Sequence, residues 1–524
     1  MEMKFKRSVG PVGLMFTAVS GILGSAWLFS PYYAAQIAGP AALLTWLIGG
    51  LAMLLIALTF AELTCLFPVS GGNARFIFFS HGVLSSFLFS WIMWLGYAAV
   101  APAETMGVLQ YLASELPWLV IQKKQVTVLS SAGYGVAALV LLAMCIINFI
   151  SIKWLSRYNA AIVWVKMIVP VIVAVSIFSL SFNFHNFTQY GGFMPYGFKG
   201  VANALSLGGV IFAFAGYAPA IVLAGEAKNP QKVIPLVLIG ALLICFLLYF
   251  LLEVCFIGAQ SPASLSQGWS NLHFAGDSSP FVGISEQLGV HWLHYLILIT
   301  AVITPLGTAI IFIATSSRVA YAMSQNGYFP HALLHLNSKG VPVVAVLLNF
   351  VVGMVLFFPA PGWQGMVGFL VSAFVLCYAL GPVSLLALRS QLPHQVRPFH
   401  LPWAKAWSYI ALCIANLIIY WTGWAIYSRM YVGILLGVLV LIAMRFCQQS
   451  KVALDSKHAI WAIVYLNGMA VFSYLGNYGG GRGILPMYWD VLLIAIFSLA
   501  ILYWSWQSRL SSEHAQLNIA SITE

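Results

Sequence analysis

Apolar runs of about 20 residues recur along the whole of this 524-residue chain, and each is long enough to cross ~30 Å of hydrocarbon. Hydrocarbon offers no hydrogen-bond partners, so a spanning backbone must pair its polar groups within the protein. Only helices or a closed barrel do that. The runs are continuous rather than alternating every second residue, which rejects a barrel and predicts an all-α polytopic membrane protein. Composition agrees: 61% of residues are hydrophobic and 7% are charged, too little charge to cover a water-soluble surface.

Polar breaks divide the runs into fourteen predicted helices, at about 11–36, 41–66, 84–114, 128–151, 159–181, 201–224, 233–258, 288–317, 341–358, 362–388, 403–427, 430–447, 458–476 and 487–508. An even number puts both termini on one side. With a cytoplasmic N-terminus, seventeen of the 23 Lys and Arg lie in inner segments, starting with Lys4, Lys6 and Arg7. Five (Lys123, Lys124, Lys199, Arg429 and Arg482) lie outside, and Lys166 remains. This asymmetry obeys the positive-inside rule and accounts for the net charge of +11 without a nucleic-acid partner. The first apolar stretch is too long for a cleaved signal core.

The seven cysteines sit in or beside apolar spans and read as small buried hydrophobes. The eleven histidines fall in loops or near span ends. His331 and His335 are four apart, but Pro330 and Lys339 mark their stretch as a connector, so an ordinary surface pair is expected. No metal or cofactor is expected. Without an acid, His or Cys cluster at general-base spacing, a membrane-embedded enzyme is disfavoured. No repeated filter loop or charge ring supports a channel.

Three features differ from plain membrane anchors. Ser20-Gly21-Ile22-Leu23-Gly24-Ser25 places two glycines among hydroxyls in the middle of helix 1, weakening it where lipid cannot satisfy freed backbone groups. A small-residue packing face is the plainer reading, but the glycines are three apart rather than four, which favours a functional break. Phe212-Ala213-Phe214-Ala215-Gly216-Tyr217, followed by Pro219, interrupts helix 6. Helices 1 and 6 are corresponding members of two five-helix halves, and paired interruptions of that kind point to a midplane substrate site. A half-helix starting there offers N–H groups to a carboxylate, and freed carbonyls accept from an ammonium, so a small zwitterion suits both.

The third feature is Lys166, within helix 5. A buried ammonium costs several kcal/mol unless paired or hydrated, so this amine is a candidate for taking up and releasing a proton. A lysine snorkelling to the inner surface stands beside that reading. Glu104, inside helix 3, reads equally as a proton relay or as a neutral interhelical acid. Glu253 and Asp490 read as interfacial. Glu62 and Glu226, at span ends beside Pro68-Val69-Ser70-Gly71-Gly72 and Lys228-Asn229-Pro230, read as structural or gating acids.

Several of these stretches carry a family resemblance. Ser20 to Phe29, Ala61-Glu62-Leu63 with Pro68 to Gly72, Phe214 to Tyr217, Gly225 to Pro230 and Ser316-Ser317-Arg318 resemble the amino acid–polyamine–organocation permease superfamily. Within it, Gly24 to Phe29 and Ser80-His81-Gly82 look like the bacterial aspartate–proton symporter branch. The resemblance implies an inverted five-helix repeat like that of bacterial leucine transporters, with repeats at 1–181 and 201–388. Four added helices would lie in 403–508 and a cytoplasmic tail at 509–524. It implies proton-coupled uptake of an amino acid, with aspartate or glutamate as substrate, across a bacterial inner membrane with both termini cytoplasmic. The implied partners are the amino acid, protons and the bilayer. An amino-acid exchanger of the same fold is the alternative. By carry-over, Ser20, Gly21, Ile22, Gly24 and Ser25 bind the α-carboxylate and α-amino groups. Phe212, Ala213, Phe214, Ala215, Gly216 and Tyr217 complete the cradle, with an aromatic there as gate. Lys166 matches the helix 5 lysine that takes the place of a sodium ion in proton-coupled members. The chain has no intramembrane Arg for a second carboxylate, so recognition of an acidic side chain would fall to hydroxyls, backbone N–H groups or Lys166.

Overall fold

Each of the fourteen apolar stretches is a helix, or a helix broken into pieces, in the computed structural model, which describes residues 9–123, 126–149, 152–272, 279–358, 362–447, 453–486 and 488–523. Lys4, Lys6, Arg7, Lys124 and His273 lie outside the described residues. The first stretch is split into α1 (Pro11–Ile22) and α2 (Ala26–Ala38), followed by α3 (Ala42–Leu66) and α4 (Asn73–Leu112). An antiparallel hairpin, β1 (Val120–Lys123) and β2 (Val126–Leu129), which the apolar pattern did not predict, leads into α5 (Ser131–Asn148) and α6 (Ile152–Leu180). The sixth stretch is divided into α7 (Gly197–Leu207), α8 (Val210–Ala215) and α9 (Ala218–Val222). Next come α10 (Pro230–Gly258), the short α11 (Pro280–Gln287), α12 (His291–Gln325) and α13 (Val343–Leu356). The rest is α14 (Gly362–Tyr378), α15 (Leu380–Gln391), α16 (Ala404–Thr422), α17 (Trp424–Phe446), α18 (Ile460–Leu475), α19 (Trp489–Gln507) and α20 (Ser512–Thr523).

Ten described spans are long and apolar enough to cross a membrane, or eleven if the bent pair of α7 with α8–α9 is one span. This is a multi-pass membrane protein. The 41-residue run Ala26–Leu66 counts as one of the ten, yet at 1.5 Å per residue it is about twice one crossing, and a 3₁₀ turn over Gly39–Ala41 divides it. The helices α1, α13 and α18 have 12, 14 and 16 residues, short of a full crossing. Fourteen crossings is therefore more than helix length establishes.

The helix α4 forms the axis of the bundle, packed along α12 and α14. It bends at Gly82, whose φ of 79° lies in the left-handed region. The C-terminal chain docks on this bend. The Leu510 N–H donates to Ser80 O at 2.9 Å, Gln391 Nε2 donates to both Ser80 O and Leu510 O, and His81 Nε2 lies 2.9 Å from Ser505 O. Residues 512–523, expected as a tail, form α20, from which Asn518 Nδ2 donates to Phe78 O at 3.2 Å. Among the added helices, Asn416 of α16 donates to Ser498 of α19 at 2.8 Å and accepts from Tyr465 of α18 at 2.7 Å. Such clasps hold helices together where lipid competes for apolar contact but not for hydrogen bonds.

Ion pairs close one end of the bundle. Glu62 is fully buried and accepts from Arg389 Nε at 2.9 Å and from the Leu401 N–H at 2.8 Å, with Arg397 at 3.4 Å. Burial pushes the Arg397 guanidinium below its ordinary pKa, which Glu62 opposes and Arg389 reinforces. Glu226 pairs with Arg318 at 2.5 Å, and Arg75 donates to Asn326 and Gln325. The two acids read as interfacial are buried within the protein: Glu253 accepts from Trp46 Nε1 at 2.9 Å and Asp490 from the Tyr420 hydroxyl at 2.8 Å. Aromatic donors on neighbouring helices hold them inside.

Because both partners are desolvated, Arg318→Met should leave Glu226 uncompensated and cost about 3–5 kcal/mol. Thermal unfolding in detergent should show a clearly lowered midpoint. Adding Glu226→Leu to it should restore most of the loss; no restoration would mean that Arg318 acts by packing alone.

Candidate functional site

A helix interrupted in hydrocarbon must find partners for the groups it frees, and here those partners define a site. The helix α1 ends at Ile22, Leu23 leaves helical geometry with φ −85° and ψ 75°, and α2 starts after Ser25. At the start of α2, the Ser25 N–H donates to Glu104 Oε2 at 2.7 Å. Glu104 is fully buried on α4, and its second oxygen has no hydrogen-bond partner among the described residues. The positive end of a half-helix is a suitable seat for a carboxylate. The place expected for a substrate carboxylate is thus held by the chain's own. A Cβ at Gly24 would run into this carboxylate, which explains glycine there.

The other end of the break faces a cation. Lys166 Nζ donates to Ser20 O at 2.9 Å and to Thr308 Oγ1 at 2.7 Å. Thr308 in turn donates to Ser20 O at 2.7 Å and lies 3.2 Å from Leu23 O. Lys166 is fully buried with its amine on the Ser20 carbonyl in the last turn of α1, so it does not snorkel to the surface. Opposite charges thus cap the two ends of one break: carboxylate on the N–H side, ammonium on the carbonyl side.

The sixth stretch is interrupted twice. The expected break over Phe212–Tyr217 is present at Gly216 and Tyr217, between α8 and α9. The larger bend, 42° between α7 and the α8–α9 segment, lies earlier, at Gly208 and Gly209. Gly209 has φ +80°, a left-handed geometry that costs glycine nothing. The two broken segments meet at Gly21 and Gly216, where a Cβ on either would overlap the other's backbone carbonyl. Phenols take two freed carbonyls nearby: Tyr249 donates to Ile22 O at 2.7 Å and Tyr378 to Ala215 O at 2.5 Å.

The aromatics of 212–217 divide. Phe212 meets Trp363 edge-on at 6.1 Å, while Phe214 packs against Trp46 and the ring of Tyr249. Tyr217 stacks on Tyr378 at 5.1 Å. Of the candidate gate residues, Phe212 alone joins the aromatic roof over the break. Trp363 is the centre of that roof: it stacks on Phe29 at 4.6 Å and Tyr33 at 5.7 Å, and its indole N–H donates to Ser25 Oγ at 2.7 Å. Above it opens a cavity of about 680 Å³ whose walls include Gln36, Gln110, Asn271 and Gln364.

Lys166 and Glu104 meet Ser20, Gly21, Ile22, Gly24, Ser25, Ala215 and Gly216 here, with Phe212 in the roof and Tyr217 stacked on Tyr378, while Ala213 is buried in α8 and Phe214 packs on Trp46 and Tyr249. Sequence reasoning missed Thr308, Trp363, Tyr249 and Tyr378. Thr300, Thr304 and Thr308, spaced by four, put hydroxyls on one face of α12 and were a legible signal. Trp363 had none, because only the tertiary fold carries α14 over the break. Among the described residues, no group of three His, Cys, Asp or Glu is arranged to hold a metal.

The amino acid permease family model matches residues 9–468. The glutamate/serine transporter AimA of Bacillus subtilis is 33% identical over 519 residues, covering 97% of this chain and 95% of its own. The aspartate–proton symporter of the same organism is 34% identical over 506 residues, 96% of each. Its branched-chain amino acid permease BcaP is 28% identical over 452 residues, 84% of this chain and 93% of its own.

A side chain at Gly24 must displace the Glu104 carboxylate. Gly24→Leu is expected to insert and keep its helical circular dichroism while amino-acid binding weakens by about 10–100-fold, the equivalent of one charge-assisted hydrogen bond. Binding at the parental level would show that this break is only a packing face.

Proposed function

The chain belongs to the amino acid permease family, and we propose that it is a proton-coupled symporter of small polar amino acids, with glutamate and aspartate among them. The observation that carries this reading is the charge arrangement at the α1–α2 break, with Glu104 on the Ser25 N–H and Lys166 on Ser20 O. An amino acid brings one carboxylate and one ammonium, which compete for those same two sets of groups. Protonating Glu104 withdraws its negative charge from the start of α2, so a substrate carboxylate approaches without repulsion. Proton and substrate then bind with mutual reinforcement, which is the thermodynamic content of symport. Lys166 holds the Ser20 carbonyl until the substrate ammonium competes for it.

In this proposal 1–181 and 201–388 form two inverted five-helix repeats, and α1 and α8–α9 are their corresponding broken members. The substrate-binding residues are Ser20, Gly21, Ile22, Gly24 and Ser25 with Phe212, Ala213, Ala215, Gly216 and Tyr217. Phe212 and Trp363 form the outer gate below the cavity of about 680 Å³. The Glu62–Arg389 and Glu226–Arg318 pairs close the inner face. Alternating access follows when one set of contacts opens as the other forms. The protein sits in a bacterial cytoplasmic membrane with both termini inside, and it transports rather than transforms its substrate. The similarity to glutamate/serine and aspartate transporters supports polar and acidic substrates, with Gln110 and the hydroxyls of Ser20 and Ser25 in reach of a short polar side chain.

Reconstituted protein should accumulate glutamate, aspartate or serine when an inward proton gradient is imposed, and saturably. Lys166→Ala should abolish accumulation driven by the gradient. Glu104→Gln, a permanent mimic of the protonated acid, should keep amino-acid binding and exchange but lose proton-driven accumulation. Uptake equal to the parent's in both variants would refute the coupling scheme.

A further inference from the structure

The helices after residue 403 leave a groove that the proposed transport site does not use. A cavity of about 850 Å³ lies between α15, α16 and α19, at the end of the bundle closed by the Glu62 pairs. Leu386, Leu499 and Leu502 supply its apolar wall. At its mouth stand Trp403, 82% exposed, and Tyr503, 61% exposed. Tryptophan and tyrosine collect at the level of lipid headgroups, where one part of the ring is wet and the other apolar. Trp403 holds its position from a left-handed backbone with φ +49°, a conformation that costs a non-glycine residue of order 1–2 kcal/mol.

The charges there are unbalanced. Arg389 lines the groove and Lys405 lies exposed at its rim. Arg509 stacks its guanidinium 4.6 Å above the Trp506 ring, another wall residue. Glu62 is the acid that Arg389 meets, and it is shared with Arg397. An apolar slot bounded by interfacial aromatics and surplus cations has the chemistry of a lipid with a negative headgroup. We propose that this groove binds an anionic phospholipid, its phosphate between Lys405 and Arg389 and an acyl chain along Leu386, Leu499 and Leu502. The inference rests on the membrane fold and is independent of the substrate assignment.

The test uses the full chain purified in mild detergent, with phosphatidylglycerol, phosphatidylcholine of the same acyl chains, and water-soluble glycerophosphoglycerol as probes. Native mass spectrometry should retain phosphatidylglycerol in preference to phosphatidylcholine, and only phosphatidylglycerol should raise the melting temperature. Lys405→Gln should weaken that retention about fivefold, the equivalent of the roughly 1 kcal/mol that one basic residue contributes at an anionic surface. Leu499→Trp, which fills the slot, should abolish it while leaving helicity intact. Equal retention of both lipids, or indifference to both substitutions, would overturn the proposal. Equal protection by the soluble headgroup would overturn it too, leaving a simple anion site.

Discussion

The break between α1 and α2 sets the terms for much of this structure. A helix interrupted in hydrocarbon frees N–H and C=O groups that water would otherwise satisfy, each at a cost of several kcal/mol. The chain answers with a carboxylate from α4, an ammonium from α6, a hydroxyl from α12 and a phenol from α10. Four helices are thereby tied to one point by polar bonds. Each side chain is buried because the break needs it, and each is tolerable in the membrane because the break pairs it.

In the proposed function the same arrangement serves transport. Groups that pair a break tightly enough to keep it closed, yet resemble the two ends of an amino acid, are exchangeable for one. The close approach of Gly21 to Gly216 puts the two broken segments in direct backbone contact. The ends of the bundle are treated differently. One is locked by desolvated ion pairs at Glu62 and Glu226. The other is covered by stacked aromatics around Trp363, which separate without leaving a charge unpaired.

The C-terminal helices support this core from one side. They clasp one another through Asn416, Ser498 and Tyr465 and fasten to the bend of α4 at Ser80, His81 and Gly82. That short motif resembled a branch of the superfamily, and it is where the end of the chain docks on the central helix.

By itself, the sequence determined the solvent, the helical class and the interruptions at Ser20–Ser25 and Gly216–Tyr217, but not the larger bend at Gly208 and Gly209. Those properties follow from run length, glycine placement and charge asymmetry, which are local. The burial of Lys166 against Ser20, the seat of Glu104 on Ser25 and the roof of Trp363 were decided only by the tertiary structure. Each joins residues 79 to 338 positions apart, and no local pattern encodes which helix turns which face to which. Glu253 and Asp490 make the same point: their distance from a helix end gave a depth, while their partners Trp46 and Tyr420 on other helices came only from the fold. Depth along a helix is written in the sequence, but the partner waiting at that depth is supplied by the fold.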